Sequence, residues 1–288
     1  MPPTSHVPTI CHLDSLSRSG VSLDFSLHKN EMNENPLVGV PMYWSFIPRF
    51  YKNSLKTFPY TTNNCRSDSI LDKRMFSHAL HNGQRCIILA DAYYEWHTTK
   101  STGVSPSKVV KQPFIIYNPE NKGFWNSSVP EEHAPLLIAG LFENNPIVNE
   151  PYPLVSTTVI TVDATHTPTG YIHHRMPAVL SVEDALKWLN PHTPVDEALT
   201  LLIPNSDLTF QPVSTKVNAV RNKSVDVCFP LNEIPMKVEK TQKSLDSWLT
   251  KTPSPKKENQ IESPPSAKKI KIEKEEAEES GVKIENDI

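Results

Sequence analysis

The chain has 288 residues, 38% of them hydrophobic, and a formal net charge of −3. It can bury a core, but it offers no global attraction to nucleic acid, so any DNA contact needs a local basic patch. Its cysteines, Cys11, Cys65, Cys86 and Cys228, lie far apart with no CxxC pair, which speaks against a disulfide framework or zinc site and for the reduced thiols of an intracellular protein. No apolar run approaches membrane-spanning length, and no signal-peptide pattern opens the chain. No metal or cofactor is expected.

Twenty-seven prolines against 8 glycines predict short strands joined by fixed turns, plus a proline-bearing tail. Residues 7–11 read as a core strand and 13–36 as a polar surface loop. Residues 38–48 (VGVPMYWSFIP) form an aromatic-rich strand that leads to Arg49, Phe50, Tyr51 and Lys52. Aromatics such as Trp44 and Phe50 among cations can stack bases while the cations neutralise phosphates. A core aromatic cluster with solvated lysines at its rim explains the stretch equally well.

In residues 61–68 (TTNNCRSD), an extended backbone puts Asn64 and Arg66 on one face and Cys65 on the other. An amide beside a guanidinium suits an anionic, hydrogen-bonding ligand, and Cys65 reads as a buried apolar residue, not a nucleophile. Residues 69–80 read as a helix with Ile70, Leu71, Met75 and Phe76 on its apolar side. The run at 86–90 (CIILA) is a strand covered on both sides, ending in Tyr93, Tyr94, Glu95 and Trp96. A carboxylate among aromatics at the mouth of such a strand is suited to proton exchange; the alternative is a glutamate paired with a nearby arginine. Residues 97–112 read as a polar loop, and strands follow at 113–117, 136–142 and 157–163.

The run 171–180 (YIHHRMPAVL) is the stretch on which chemistry converges. Pro177 pushes Met176 away from helical angles, and an extended run places Tyr171, His173 and Arg175 on one face and His174 on the other. That presents one histidine, and it argues against a metal site, because neighbouring strand histidines do not reach a common ion. Two ordinary hydrogen-bonded histidines are the alternative. A helix over 182–190 is capped by Ser181, and a second over 194–203 has Thr193 as cap and Pro204 as stop. Residues 208–214 return as a strand, and Val217, Asn218, Arg221 and Asn222 sit in a polar loop that could line the site. The order of strands, helices and a final strand predicts an α+β domain over 1–235.

The tail, 236–288, is rich in Lys, Glu, Ser and Pro and is expected to be disordered. Within it, Gln242, Leu245, Trp248 and Leu249 resemble a sliding-clamp-binding box, one helical turn placing the last three on one face. PSAKKIK at 265–271 is a modest nuclear-import candidate. Three aliphatic-Lys-x-Glu sites, around Lys237, Lys271 and Lys283, fit a SUMO-acceptor pattern.

NNCRSD at 63–68, CIILADAYYEW at 86–96, STTVITVDAT at 156–165 and IHHRMPAVL at 172–180 together resemble, in order, the SRAP family (SOS-response-associated peptidase). The resemblance implies a bifurcated, mostly antiparallel sheet in a pseudo-barrel with flanking helices, and a monomer. It implies binding of single-stranded DNA and a covalent cross-link to the ring-opened aldehyde of an abasic site. In that chemistry an N-terminal cysteine forms a Schiff base through its amine and closes a thiazolidine through its thiol. Glu95 would then be the acid/base of ring opening, and His173 would shuttle a proton during imine formation. Asn64 would orient the nucleophile or a sugar oxygen, Arg66 would hold the adjacent phosphate, and Trp44, Phe50 and Arg175 would contact DNA.

The chain departs from the family's pattern in places. Phe50 stands where a tryptophan is usual and Tyr43 where an arginine is usual, while Ser45 and Ala92 replace glycines. It opens Met1-Pro2-Pro3, and PTSHVP at 3–8 resembles an interior segment of the family. The nucleophile is therefore expected to lie in a missing N-terminal stretch, and Cys11 cannot replace it, since only a terminal cysteine offers amine and thiol together. Two readings follow: a nuclear abasic-site cross-linker whose N-terminus is longer than this sequence, or a nucleophile-free adaptor that binds single strands at replication forks. A metal-dependent hydrolase built on His166, His173 and Glu95 has only its residue types in favour.

Overall fold

The computed structural model describes residues 2–21, 36–100, 109–125, 134–146, 154–222 and 224–232, all within a unit that spans Met1–Met236. The strands are β1 (His6–His12), β2 (Leu37–Trp44), β3 (Asn64–Arg66), β4 (Arg85–Ala90), β5 (Ala92–Lys100), β6 (Val109–Tyr117), β7 (Leu136–Asn145), β8 (Leu154–Asp163), β9 (Arg175–Pro177), β10 (Val179–Leu180) and β11 (Thr209–Pro212). The helices are short: α1 (Leu13–Arg18), α2 (Arg74–His81), α3 (Val182–Leu189) and α4 (Val195–Thr200). The class is α+β, dominated by sheet.

Strand β8 organises the larger sheet. Its first half pairs in parallel with β2 and antiparallel with β7, and its second half pairs in parallel with β3 and antiparallel with β9. Because β7 also pairs β4, β4 pairs β1 and β1 pairs β2, five strands close into a ring from which β3, β9 and β10 branch. Closure removes sheet edges, and it explains why β7 and most of β8 are buried on both faces. Polar side chains of the ring find partners at two positions of β8: Ser156 Oγ accepts from Ile47 N (2.8 Å), and Thr157 Oγ1 donates to Leu141 O (2.9 Å), whereas the buried Thr158 hydroxyl next to them has no partner among the described residues. At its tightest point Gly140 sits where a Cβ would meet Thr158 O at 2.8 Å and Cys86 Sγ at 3.0 Å.

A second, three-stranded sheet runs β11-β6-β5. Its outer side carries its own core of Ile115, Tyr117, Trp125 and Val213. Helix α3 covers the barrel with Trp188, which is fully buried and donates to Cys86 O. Ser181 caps its start, accepting from Asp184 N. Beyond its other end the buried Arg85 guanidinium donates to Asn190 O and Thr193 O (2.7 and 2.9 Å).

Several local expectations change. The stretch read as a loop from residue 13 begins with α1. The helix expected from 69 starts only at Arg74, because Ser67–Ser69 forms a 3-10 turn around Asp68, and Leu71 is left 47% exposed. Part of the expected loop 97–112 is strand: Thr98 and Thr99, with the β-branched preference for pleated backbone, extend β5 against β6. Thr193 does not cap α4; its hydroxyl donates to Lys187 O, and Pro194 occupies the cap position.

Replacing Gly140 by Ala is expected to lower stability by about 1–3 kcal/mol through overpacking against backbone. Gly39, which has nothing within 4 Å of its built Cβ, is the control: its alanine variant leaves the midpoint of a thermal or urea melt nearly unchanged.

Candidate functional site

Strand β3 supplies the amide and the first guanidinium. Its pairing with β8 sets Asn64 opposite Val159 and Arg66 opposite Thr161, so both face the same way, while Cys65 is buried on the other side. Trp44, opposite Thr157, shares the face of Asn64 and Arg66. Its indole N–H donates to Asn63 O (2.8 Å), which also accepts from Val159 N. Both lone pairs of that carbonyl are used, and the backbone beside Asn64 is held still.

Asp68 joins this strand to the histidine segment. Arg66 donates to both of its carboxylate oxygens (3.2 and 2.9 Å), and Arg175 Nη1 donates to Oδ2 (2.8 Å). The two guanidiniums hold the Asp68 carboxyl below its usual range, Arg66 acting first through its hydrogen bond. The two arginines differ in access. The Arg175 side chain is only 10% exposed and also donates to Thr161 O, whereas that of Arg66 is 61% exposed. The resemblance implies that Arg175 contacts DNA; in the structure its guanidinium is engaged by Asp68 and Thr161 at the edge of a cleft, and Arg66 is the more exposed of the two cations.

The histidine segment is not the extended run its alternation suggested. Pro168–Tyr171 is a 3-10 turn, His173 N donates to Thr169 O, and strand begins only at Arg175. Pro177 therefore extends its immediate neighbourhood but does not reach back to 171. In consequence His173 and His174 do not point to opposite faces; their rings lie side by side, centroids 4.4 Å apart. His173 is half-buried and His174 exposed. His173 Nδ1 lies 3.2 Å from Arg175 N and 3.1 Å from Arg175 O. With the proton on Nε2, Nδ1 accepts from the amide; with the proton on Nδ1, it donates to the carbonyl. Either tautomer keeps one ring orientation, so Nε2 can gain or lose a proton without the ring turning.

Glu95 comes from the second sheet. Tyr93, Glu95 and His97 share one side of β5, and Tyr93 packs on the barrel core; Tyr94 packs on the opposite cluster. On that opposite side Trp96 Nε1 donates to Asn218 Oδ1 (2.7 Å), so the polar loop at 217–222 supports the far face of β5 and does not line the side that carries Glu95. The Glu95 carboxylate accepts from Trp96 N (3.1 Å), and among the described residues no arginine pairs with it. What brings its strand to the histidines is a stack of His97 on Tyr171, centroids 4.5 Å apart and planes 28° apart. Sequence reasoning gave no role to Tyr93, whose buried hydroxyl has no hydrogen-bond partner among the described residues and which burial, then the Glu95 charge, keeps protonated. Asp68 was missed too; its only sequence signal is a carboxylate two residues after Arg66.

Phe50 projects from the loop after β2, 54% exposed, with the Arg74 guanidinium 5.9 Å from its ring centroid. Lys52, Lys73 and Arg74 are exposed around it, which makes a local basic patch on a chain of negative net charge. Buried groups at the end of β7 fix this loop: Asn145 donates to Pro48 O and Tyr51 O, and Glu143 holds Arg49 (3.3 Å) and His78 (3.5 Å). A cleft of about 590 Å³ opens beside Arg175, lined by Asp68, Asp163 and His166 among others; neither Glu95 nor His173 lines it. Among the described residues no three of His, Cys, Asp and Glu gather as metal ligands would. Gln242, Leu245, Trp248 and Leu249 lie outside the described residues.

Residues 1–220 match the family model described as SOS response associated peptidase (SRAP). The chain is 34% identical over 235 residues to "Abasic site processing protein HMCES" of Gallus gallus, covering 77% of this chain and 67% of that protein. It is 33% identical over 262 residues to the protein of the same name from Xenopus tropicalis, covering 86% and 75%. A solved structure from Bacteroides thetaiotaomicron is similar in fold, with a TM-score of 0.52 at 21% identity over 76% of this chain and 96% of that one.

The cysteines separate by access. Burial pushes the thiols of Cys11 and Cys65 up to about 12 and raises that of Cys86 as well, while Cys228 is only half-buried. Iodoacetamide at pH 8 is expected to label Cys228 in the folded protein and the other three only after denaturation, read by peptide mass spectrometry. Labelling of native Cys65 would contradict its burial.

Proposed function

Because the chain belongs to the SOS response associated peptidase (SRAP) family, we propose that it processes abasic sites, as its vertebrate relatives are named for doing, and that it does so in single-stranded DNA. The observation that carries this reading is the meeting of three segments. The Asp68–Arg175 pair ties the Asn64–Arg66 strand to the end of the histidine segment, and the His97–Tyr171 stack ties the Glu95 strand to its start. These two ties are what supports assigning Glu95, His173, Asn64 and Arg66 to one nucleotide.

In this proposal the Glu95 carboxylate takes the proton of the C1′ hydroxyl as the C1′–O4′ bond breaks and delivers it to O4′, which leaves as a hydroxyl; the reverse transfer closes the ring. His173, steered by the Arg175 backbone, protonates the hydroxyl of the carbinolamine formed when an amine adds to the aldehyde, so that this oxygen leaves as water and the imine forms. Asn64 hydrogen-bonds a sugar oxygen, and Arg66 holds the neighbouring phosphate as a forked donor. Trp44 and Phe50 stack or wedge bases, and Arg175 positions the segment. A sliding-clamp contact through Gln242, Leu245, Trp248 and Leu249, and a place at nuclear replication forks, belong to the same reading and rest on the tail motifs.

A second reading has its own support. Cys11, Cys65 and Cys86 are buried, which leaves them unfit as nucleophiles and supports an adaptor that binds single strands without a covalent step. The two are separated by incubating this chain, and a form preceded by Met-Cys and the family's N-terminal residues, with an abasic oligonucleotide on a denaturing gel. The extended form is expected to give a shifted band and this chain none. Glu95→Gln or His173→Ala in the extended form should slow the adduct roughly 100-fold or more; if neither does, the assigned roles fail.

The arginines should separate as well. Arg66→Ala is expected to weaken binding evenly across sequences and to reduce the salt slope by about 0.7, with the fold intact. Arg175→Ala should instead lower the melting temperature, since it strips Asp68 and Thr161 O of a buried donor. Filter binding at several salt concentrations and a thermal melt distinguish them.

A further inference from the structure

Tyr171 is the most exposed aromatic among the described large hydrophobic residues, at 64%, yet it sits on a braced support. The turn beneath it is fixed by Thr167 N and Thr167 Oγ1 on Ala164 O (2.9 and 2.8 Å), and by the Thr167–Thr169 hydroxyl pair (2.8 Å). Gly170 completes it: a Cβ there would run into Ala164 O, so the chain must pass this point as glycine to reach Tyr171. One ring face is covered by the His97 imidazole. With a half-buried imidazole under one face and an exposure of 64%, the ring presents its other face outward.

We infer that Tyr171, backed by His97, is a stacking platform for the nucleobase next to the lesion. The inference rests on the single-stranded-DNA reading above and adds a subsite to it. An apolar ring left in water gains by covering its open face, and a base is a flat partner that any sequence supplies. The position suits a neighbour of the lesion and not the lesion itself, because an abasic sugar has no base to stack. Tyr171 stands two residues from His173, and His97 two residues from Glu95 on the same side of β5, so a base laid on Tyr171 places its adjoining sugar towards the proton-transfer groups. Rigidity matters here, since a ring already held in one orientation loses little freedom on stacking.

The test uses the full chain and oligonucleotides with a central tetrahydrofuran site and 2-aminopurine as one flanking base. Wild type and Tyr171→Phe are expected to quench the aminopurine, and Tyr171→Ala to bind roughly 5- to 150-fold more weakly without quenching. The deciding arm removes the flanking base as well: wild type and Tyr171→Ala should then bind alike. If wild type binds but the alanine variant loses the same factor with and without the flanking base, Tyr171 is only a strut between the sheets and the platform is wrong. Should Tyr171→Ala fail to fold by circular dichroism, Tyr171→Leu fills the space without a π face and must show the same base-dependent loss. If wild type binds none of these strands, the single-strand reading itself fails, and the platform with it.

Discussion

One carboxylate holds together what the chain keeps apart. Asp68 accepts from two of the five N–H groups of Arg66, two residues away, and from one of Arg175, 107 residues away. Without it, β3 and β9 would still hydrogen-bond to β8 from opposite edges, but nothing would fix their side chains relative to each other. The nearly buried Arg175 makes the tie costly to break, because a guanidinium left there with only the Thr161 oxygens keeps its desolvation penalty and loses its charged partner. The interaction is therefore better understood as positioning than as stabilisation. It sets the distance between an amide-bearing strand and an imidazole-bearing turn.

That tie is possible only because β8 forks. A strand with two neighbours in its first half and two different ones in its second brings four distant segments to one line, and the barrel behind it keeps the line rigid. Its polar residues serve the same end. Ser156 gives the Ile47 amide a partner, and Thr157 returns a hydrogen bond to β7. Along the adjoining strand Glu143, Asn144 and Asn145 are buried and grip the loops that leave the ring. A barrel filled only with aliphatic side chains would pack as well but would leave those loops unattached, Phe50 and its cations among them.

The legible parts of this site were those in which local geometry alone decides. Asn64 and Arg66 share a face, with Cys65 behind them, because residues 64–66 are in fact strand and alternation then has no freedom. The same rule failed at 171–176, since Thr167, Pro168, Thr169 and Gly170 favour a tight turn and the influence of Pro177 ends at the residue before it. Periodicity could not show that β5 belongs to a different sheet from β4, because the two are separated by Asp91 alone and both read as strand. Contacts across large sequence separations, such as Asp68 with Arg175, Trp96 with Asn218 and His97 with Tyr171, leave no local trace. Those contacts assemble the site. The family resemblance supplied the membership of the pocket that the residues themselves did not.

The charges bear on how such a pocket would select its nucleotide. Around the fork two guanidiniums, Arg66 and Arg175, face two carboxylates, Asp68 and Asp163, and the Arg175 guanidinium is already engaged by Asp68 and Thr161 where it lines the cleft. The attraction for a phosphate is thus local, and it falls off within a Debye length of about 8 Å at physiological salt. A site of this kind gains little from DNA in general. Discrimination would have to come from what an intact nucleotide lacks or blocks: a sugar whose C1′ oxygen can reach Glu95 and Asn64, and the space a missing base leaves beside a half-buried imidazole. In the proposed role the weak field helps selectivity, because a stronger basic groove would raise affinity for undamaged strands as much as for damaged ones and so add nothing to the difference.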